Sequence, residues 1–293
     1  MSGLSASRRI GYLIDSGVRM LSDSDRSCPA CRSGKTFLLR RKYLVTALWQ
    51  CPSCHLRFRV PKEHESQSRA FYQTDYSEGF TTDCPSDDAL DAMLKTSFRG
   101  LEKDFCRYIR VLRAAGIKDG DSVLDFGCSW GYGSWQLREA GFRVYSYEIS
   151  RPRAEYARQK LGCTVIESLD TLPETIKCLF SAHVIEHLPD PNLVWQTATR
   201  LLDKDGVIVC ICPNGDPSRE TKAAAGSYDQ LWGKVHPLLI TPDFLTTTSG
   251  RHGWSAHCYT RPFELDKIAS RSAGGDCSGD ELCMVAHPST ATS

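Results

Sequence analysis

From Asp87 to Ala115 apolar residues recur every three or four positions: Leu90, Leu94, Phe98, Leu101, Phe105, Tyr108, Ile109 and Leu112. That period places them on one helical face, and Gly116 is positioned to end the helix. The pattern then changes. "SVLDFGC", "RVYSYEI", "CTVIES", "KCLFSAH" and "GVIVCIC" are short apolar runs that read as strands. Between them "GSWQLREAG", "RPRAEYARQKL" and "NLVWQTATRLL" read as helices. This alternation predicts an α/β fold, a parallel sheet with helices on both faces. In such sheets ligands bind outside the carboxyl ends of the strands. Residues 61–90 are mostly polar, and "PKEHESQS" and "TTDCPSDD" read as a linker interrupted by "AFYQTDYSEGF". The last segments, around "WSAHCYTR" and "ELCMVAHP", define strands only poorly. The chain therefore divides into 1–60, a linker and helical cap over 61–115, and a main domain over 116–293.

Composition changes this picture little. The chain has 293 residues, is 41% hydrophobic and 24% charged, and carries a net charge of +1, so bulk electrostatics names no partner. No apolar run approaches the roughly 18 residues needed to cross a bilayer. The opening "MSGLSASRRIGYLIDSGVRML" lacks the apolar core of a secretory signal, and a cytoplasmic location is expected.

Fourteen cysteines do change it. In a cytoplasmic chain they suggest metal binding before disulfides. Cys28 and Cys31 of "CPAC" and Cys51 and Cys54 of "CPSC" form two C-x-x-C knuckles around a segment rich in aromatic and β-branched residues. The pattern predicts a zinc ribbon whose hairpin joins the two knuckles. About 30 residues bury too little apolar surface to fold alone, so the metal supplies stability. With four thiolates the zinc is structural, since a catalytic zinc keeps a position open. His55 is an alternative to Cys54 as a ligand. The other ten cysteines are scattered, several of them in apolar strands where Cys behaves as a small hydrophobe. Residues 1–60 hold eleven Lys and Arg against three Asp. This excess fits an anionic partner such as nucleic acid, or equally docking onto the acidic remainder of the chain.

The first predicted strand runs into "LDFGCSWGYGS", where Asp125, Gly127, Gly131 and Gly133 form D-x-G-x-x-x-G-x-G. The glycines permit close backbone approach to a ligand. The spacing is neither that of dinucleotide binders nor that of P-loops. Glu148 closes the second strand roughly 20 residues on, where α/β nucleoside binders place a carboxylate on ribose hydroxyls. "VLDFGCSWGYGS", "YSYEIS", "SAHVIEHLPDPNLVWQTATRLLDKDGVIVCICPN" and "HPLLITPDFL", in that order, resemble the class I S-adenosylmethionine-dependent methyltransferases. The resemblance implies a Rossmann-like sheet. It also implies that Asp125 and the Gly127–Gly131 loop, with Cys128 and Gly133, cradle the cofactor. Glu148 would take the ribose hydroxyls, Ile149 would pack on adenine, Ser168 and Leu169 would frame it, and His183 would complete the set. The family often opens its fourth strand with Phe-Asp, where this chain has Ile176-Lys177. The ribbon followed by "FYQTDY" also resembles bacterial methyltransferases of saccharide and natural-product modification, which implies a sugar or other small-metabolite acceptor.

In "SAHVIEHLPDP", His183, Glu186 and His187 stand at i, i+3 and i+4, one face of a helical turn. Three readings are open. The residues are core packing; or His183 or His187 is a general base; or they bind a second divalent metal together with His236 of "KVHPLLITPDFL". The third resembles the Glu-x-x-Glu-His plus distal His site of small-RNA 2′-O-methyltransferases and ubiquinone-pathway O-methyltransferases. Glu186, His187 and His236 match it, and His183 stands where that site has its first Glu. Mixed His and Glu ligation favours a transition metal or zinc. The expected activity is therefore O-methylation of a small-metabolite hydroxyl with a His as base. The rivals are a metal-assisted O-methyltransferase, an RNA methyltransferase gripping through the ribbon, and a non-catalytic cofactor-binding scaffold.

Overall fold

The computed structural model describes residues 16–19, 25–42, 44–62, 83–222, 228–233 and 235–289. "AFYQTDYSEGF" and most of the expected linker lie outside them.

The ribbon contributes β1 (Phe37–Lys42), β2 (Thr46–Gln50) and β3 (Arg57–Val60), paired antiparallel in that order. The periodic stretch after it is two helices rather than one, α1 (Asp87–Lys95) and α2 (Cys106–Ala114). Between them Ser97, Phe98 and Gly100 adopt positive φ, and the Asp104 carboxylate accepts from the Gly100 and Cys106 amides at 2.9 and 2.8 Å. Phe98 keeps the apolar period without being helical because this turn buries it against Trp130 and Trp135.

The main domain runs β4 (Ser122–Phe126), α3 (Tyr132–Glu139), β5 (Arg143–Tyr147), α4 (Arg151–Leu161), β6 (Thr164–Val165), β7 (Ile176–Ala182), α5 (Leu193–Leu201) and β8 (Leu202–Pro213). It continues with α6 (Ser218–Lys222), β9 (Leu238–Leu239), α7 (Pro242–Arg251), β10 (Trp254–Thr260), α8 (Leu265–Ala269) and β11 (Glu281–Pro288). Seven strands form one sheet in the order β10-β11-β8-β7-β4-β5-β6. β6, β5, β4, β7 and β8 are parallel, and β11 is antiparallel to both β8 and β10. The two strands least defined in the sequence thus pair over seven residues, from Trp254↔Pro288 to Thr260↔Leu282. The expected strand "CTVIES" shrinks to two residues.

The unbroken apolar run of β8 follows from burial on both faces. Ile208, Cys210 and Cys212 face one core with Trp195 and Phe244, while Val207, Val209 and Ile211 face another with Tyr108 and Leu112. Cys178, Cys210, Cys212, Cys258 and Cys283 are buried within these layers as small apolar side chains.

The ribbon does not stand apart. β9 adds to its sheet, with Arg57↔Leu239 and Phe58↔Leu238, and Leu56, Phe58 and Val60 belong to the same core as Leu124 and Ile208. Part of its basic charge is consumed in this docking. Arg40 pairs with Asp229 and Glu220, Lys42 Nζ donates to the Asp229 and Trp232 carbonyls at 2.7 and 3.1 Å, and buried Arg57 donates to Tyr228 Oη at 2.6 Å. Among the described residues no helix is long and apolar enough to cross a membrane.

Candidate functional site

β4 ends where the chain must turn sharply into α3. Gly127 (φ 88), Ser129 (φ 53) and Gly131 (φ 91) all adopt left-handed backbone there. The amides of Gly127 and Cys128 donate to the Tyr147 carbonyl at 2.8 and 3.0 Å, which ties the loop to the end of β5. Glu148 completes the tie. Its Oε2 accepts from the Ser129 amide at 2.9 Å and its Oε1 from the Ser150 amide at 2.8 Å. Burial raises the Glu148 pKa.

Asp125 is buried and accepts from Ser134 Oγ at 2.6 Å, which in turn accepts from Ser146 Oγ at 2.8 Å. Burial pushes its pKa up to about 7, with Glu148 adding to the rise and the Ser134 bond opposing it. Two features fit a nucleoside cofactor. Ser129 Oγ is buried with no hydrogen-bond partner, and Ile149 presents an exposed apolar side chain directly beside Glu148. Ser168 caps the 3-10 turn Leu169–Thr171 just after β6, at the same edge of the sheet, and Leu169 packs partly on the core.

The glycines serve packing as well. A Cβ on Gly127 would lie 2.4 Å from Val184, one on Gly131 2.7 Å from Ala157, and one on Gly133 2.3 Å from Phe105. What Gly133 accommodates is therefore α2, through Phe105.

The four ribbon cysteines come together, their sulfurs all within 4.8 Å of one another. Cys28–Cys54 and Cys31–Cys51 are each 3.4 Å apart. Tetrahedral zinc with bonds of about 2.3 Å separates its sulfurs by about 3.8 Å, so the set fits zinc. The Cys54 thiol bonding to Cys28 Sγ draws the Cys28 pKa down to about 5. His55 instead holds the left-handed turn position after its knuckle (φ 65), with its amide donating to the Cys51 carbonyl at 2.9 Å.

The stretch from His183 to His187 is not one helical turn. His183 leaves β7 with φ 58, and a 3-10 turn covers Ile185–His187. This separates His183 from the group it was expected to join. Its Nε2 donates to Glu281 Oε1 at 2.9 Å, and its Nδ1 faces Glu186 Oε1 at 3.6 Å. Burial works to lower its pKa, but Glu186 and Glu281 outweigh it and hold the imidazole up at about 9. Glu186, His187 and His236 do converge, with donor atoms within 4.8 Å of one another. His187 Nδ1–H donates to the Val235 carbonyl at 2.6 Å, leaving Nε2 as an acceptor 3.8 Å from Glu186 Oε1. Burial drops the His187 pKa to about 4. Both Glu186 oxygens are buried and lack a hydrogen-bond partner. His183 already faces Glu186 Oε1, and the carboxylate with the two further imidazoles of His187 and His236 forms a mixed nitrogen and oxygen donor set. The residues fit a divalent metal.

Tyr108, Arg107 and Glu281 also reach this edge, and sequence reasoning missed them as site residues. Tyr108 belongs to the apolar stripe of α2. The signal for Glu281 was a single charge opening an otherwise apolar strand.

A seven-stranded sheet of this order, with a glycine-rich turn after its first strand and a carboxylate closing its second, defines a class I S-adenosylmethionine-dependent methyltransferase. The chain belongs to the methyltransferase domain family, whose model matches residues 99–256. It is 32% identical over 165 residues to an uncharacterised methyltransferase of Geobacillus thermodenitrificans, covering 52% of this chain and 77% of that one. It is 24% identical over 169 residues to a ubiquinone biosynthesis O-methyltransferase of Alkalilimnicola ehrlichii, covering 54% and 62%. Among solved structures, the magnesium protoporphyrin IX methyltransferase of Synechocystis superposes with a TM-score of 0.49 at 15% identity, covering 77% of this chain and 100% of that one.

Proposed function

We propose that this methyltransferase is a metal-assisted O-methyltransferase acting on a hydroxyl of a sugar or other small metabolite. The observation that carries the reading is the convergence of Glu186, His187 and His236, with the Glu186 oxygens buried and unbonded and His187 Nε2 turned toward them. Glu186, His187 and His236 would hold a divalent ion, which would supply Lewis acidity toward a substrate hydroxyl. The chain's own part is positional. The Val235 carbonyl fixes the His187 tautomer, as outer-shell carbonyls do for metal-ligating imidazoles. The loop from Asp125 to Gly131, with Glu148 and Ile149, would hold the methyl donor, and Gly127 of that loop packs against Val184, one residue from His183. Alignment of donor and acceptor is the main task, since a sulfonium methyl is already electrophilic. The ubiquinone-pathway relative, an O-methyltransferase by name, supports oxygen as the acceptor.

His187 as a metal-free general base is the second reading, because burial keeps its imidazole neutral at pH 7. His183 is poorly suited to that role, with its Nε2 committed to Glu281 and its Nδ1 facing Glu186. The RNA reading loses support because Arg40, Lys42 and Arg57 of the ribbon are engaged within the chain.

Chelation that leaves the ribbon zinc in place separates the two. On the metal reading it stops turnover, an added divalent ion restores turnover, and His236→Ala is nearly as damaging as His187→Ala. Chelator-resistant turnover with a mild His236→Ala variant would establish the base instead.

A further inference from the structure

Three polar groups at the site, Glu281, Tyr108 and Arg107, belong to none of the sequence motifs. Glu281 opens β11, and its pairing with Pro213 places it at the carboxyl edge of the parallel strands, where His183 leaves β7. It is buried. Its Oε1 accepts from His183 Nε2 at 2.9 Å and from the Tyr108 hydroxyl. Arg107 backs this pair. Its Nη2 donates to Tyr108 Oη at 2.9 Å, its Nε lies 3.4 Å from Glu281 Oε2, and its guanidinium covers the Tyr108 ring at 4.5 Å. On its other side His183 turns Nδ1 toward Glu186 Oε1 at 3.6 Å. One imidazole therefore bridges two buried carboxylates, with its backbone pinned by a 2.8 Å bond from its amide to the Ile211 carbonyl.

We propose that Glu281 and Tyr108 are positioning residues that act through His183 to orient the Glu186 carboxylate toward His187 and His236, and so set the affinity of that site for a divalent ion. This rests on reading those three residues as a metal site. The physical reason is that a buried carboxylate with no hydrogen bond is free to rotate about its terminal bond. Glu186 Oε1 lies 3.6 Å from His183 Nδ1 and 3.8 Å from His187 Nε2, so an imidazole held beside that oxygen limits the rotation and keeps the carboxylate where the ligands converge. That imidazole is His183, and Glu281 holds it at its other nitrogen, Nε2. Tyr108 and Arg107 in turn fix Glu281, so helix α2 and the last strand both contribute to a site whose ligands lie elsewhere in the chain.

The test measures binding of Mn2+ to the full chain with its ribbon zinc retained, by electron paramagnetic resonance of the free ion. Mn2+ is chosen because thiolates hold it weakly. The wild-type chain is expected to bind one Mn2+ that His187→Ala does not. Glu281→Gln, nearly isosteric, should weaken it by about 10–100-fold, the usual effect of losing an outer-shell partner. Tyr108→Phe should weaken it several-fold. In a His183→Ala background Glu281→Gln should add nothing, because its effect passes through the imidazole. Thermal melting of the metal-free variants reads folding separately, and Tyr108→Phe carries the test if Glu281→Gln does not fold. Wild-type affinity in Glu281→Gln or, failing that variant, in Tyr108→Phe overturns the inference alone. So does a full additional loss on top of His183→Ala. A wild-type chain without specific Mn2+ binding overturns both the inference and the metal reading beneath it.

Discussion

Single residues carry the cofactor loop. Gly127 holds φ 88, and a Cβ there would lie 2.4 Å from Val184, so Gly127→Val combines backbone strain with a clash. S-adenosylmethionine binding should be lost, as calorimetric titration would read. Glu148→Ala should weaken binding by about 1–3 kcal/mol, and it also frees the Ser129 amide that anchors the loop. Asp125 gives a pH signature. Its folded pKa, pushed up to about 7 by burial, exceeds the ordinary 3.8. Between those values the folded chain keeps a proton that the unfolded chain has released. Its contribution to stability is therefore present below about pH 4 and is lost as pH rises through about 7, a change of at most ~4 kcal/mol. Urea unfolding of the cofactor-free protein at pH 5 and pH 7.5 should reveal that slope, and Asp125→Asn should flatten it.

At the scale of elements, the ribbon shapes the site beyond its own fold. β3 follows the second knuckle, pairs with β9, and its Arg59 amide donates to the Pro237 carbonyl at 2.8 Å, one residue past His236. The Val235 carbonyl that fixes His187 lies in the same segment. Elemental analysis should find a tightly held zinc that Cys28→Ser and Cys51→Ser each lose. Those variants should also bind added Mn2+ more weakly at the second site, since the segment that runs from His236 into β9 loses its neighbour. Unchanged Mn2+ binding after zinc loss would separate the two sites.

At the scale of the molecule, ribbon and methyltransferase body share one core, with Leu56 and Phe58 packed in the same cluster as Leu124, Ile208 and Phe244. Calorimetry should therefore record a single cooperative transition. Removing zinc should lower that transition as a whole rather than erase a separate ribbon step. Two resolved transitions would mean that the shared packing is energetically minor.

Local periodicity and spacing were enough to indicate the parallel strands, the glycine turn, the carboxylate at Glu148 and the paired cysteine knuckles. Each of these is a short-range pattern dictated by backbone geometry or metal valence. The same reasoning merged α1 and α2, because a buried turn residue such as Phe98 keeps the helical period without helical backbone. It also placed His183 beside His187 on one helical turn, which its left-handed backbone forbids. β10 was faint because it is an edge strand whose first half is only partly buried, which breaks the apolar run. The tertiary structure alone decided that Glu281 faces His183 from 98 positions away, that the Val235 carbonyl selects the His187 tautomer, and that Arg40, Lys42 and Arg57 of the ribbon are paired within the chain. Such contacts join residues far apart in the chain, and their energies depend on burial and on which groups face each other. Neither quantity is written in local sequence spacing.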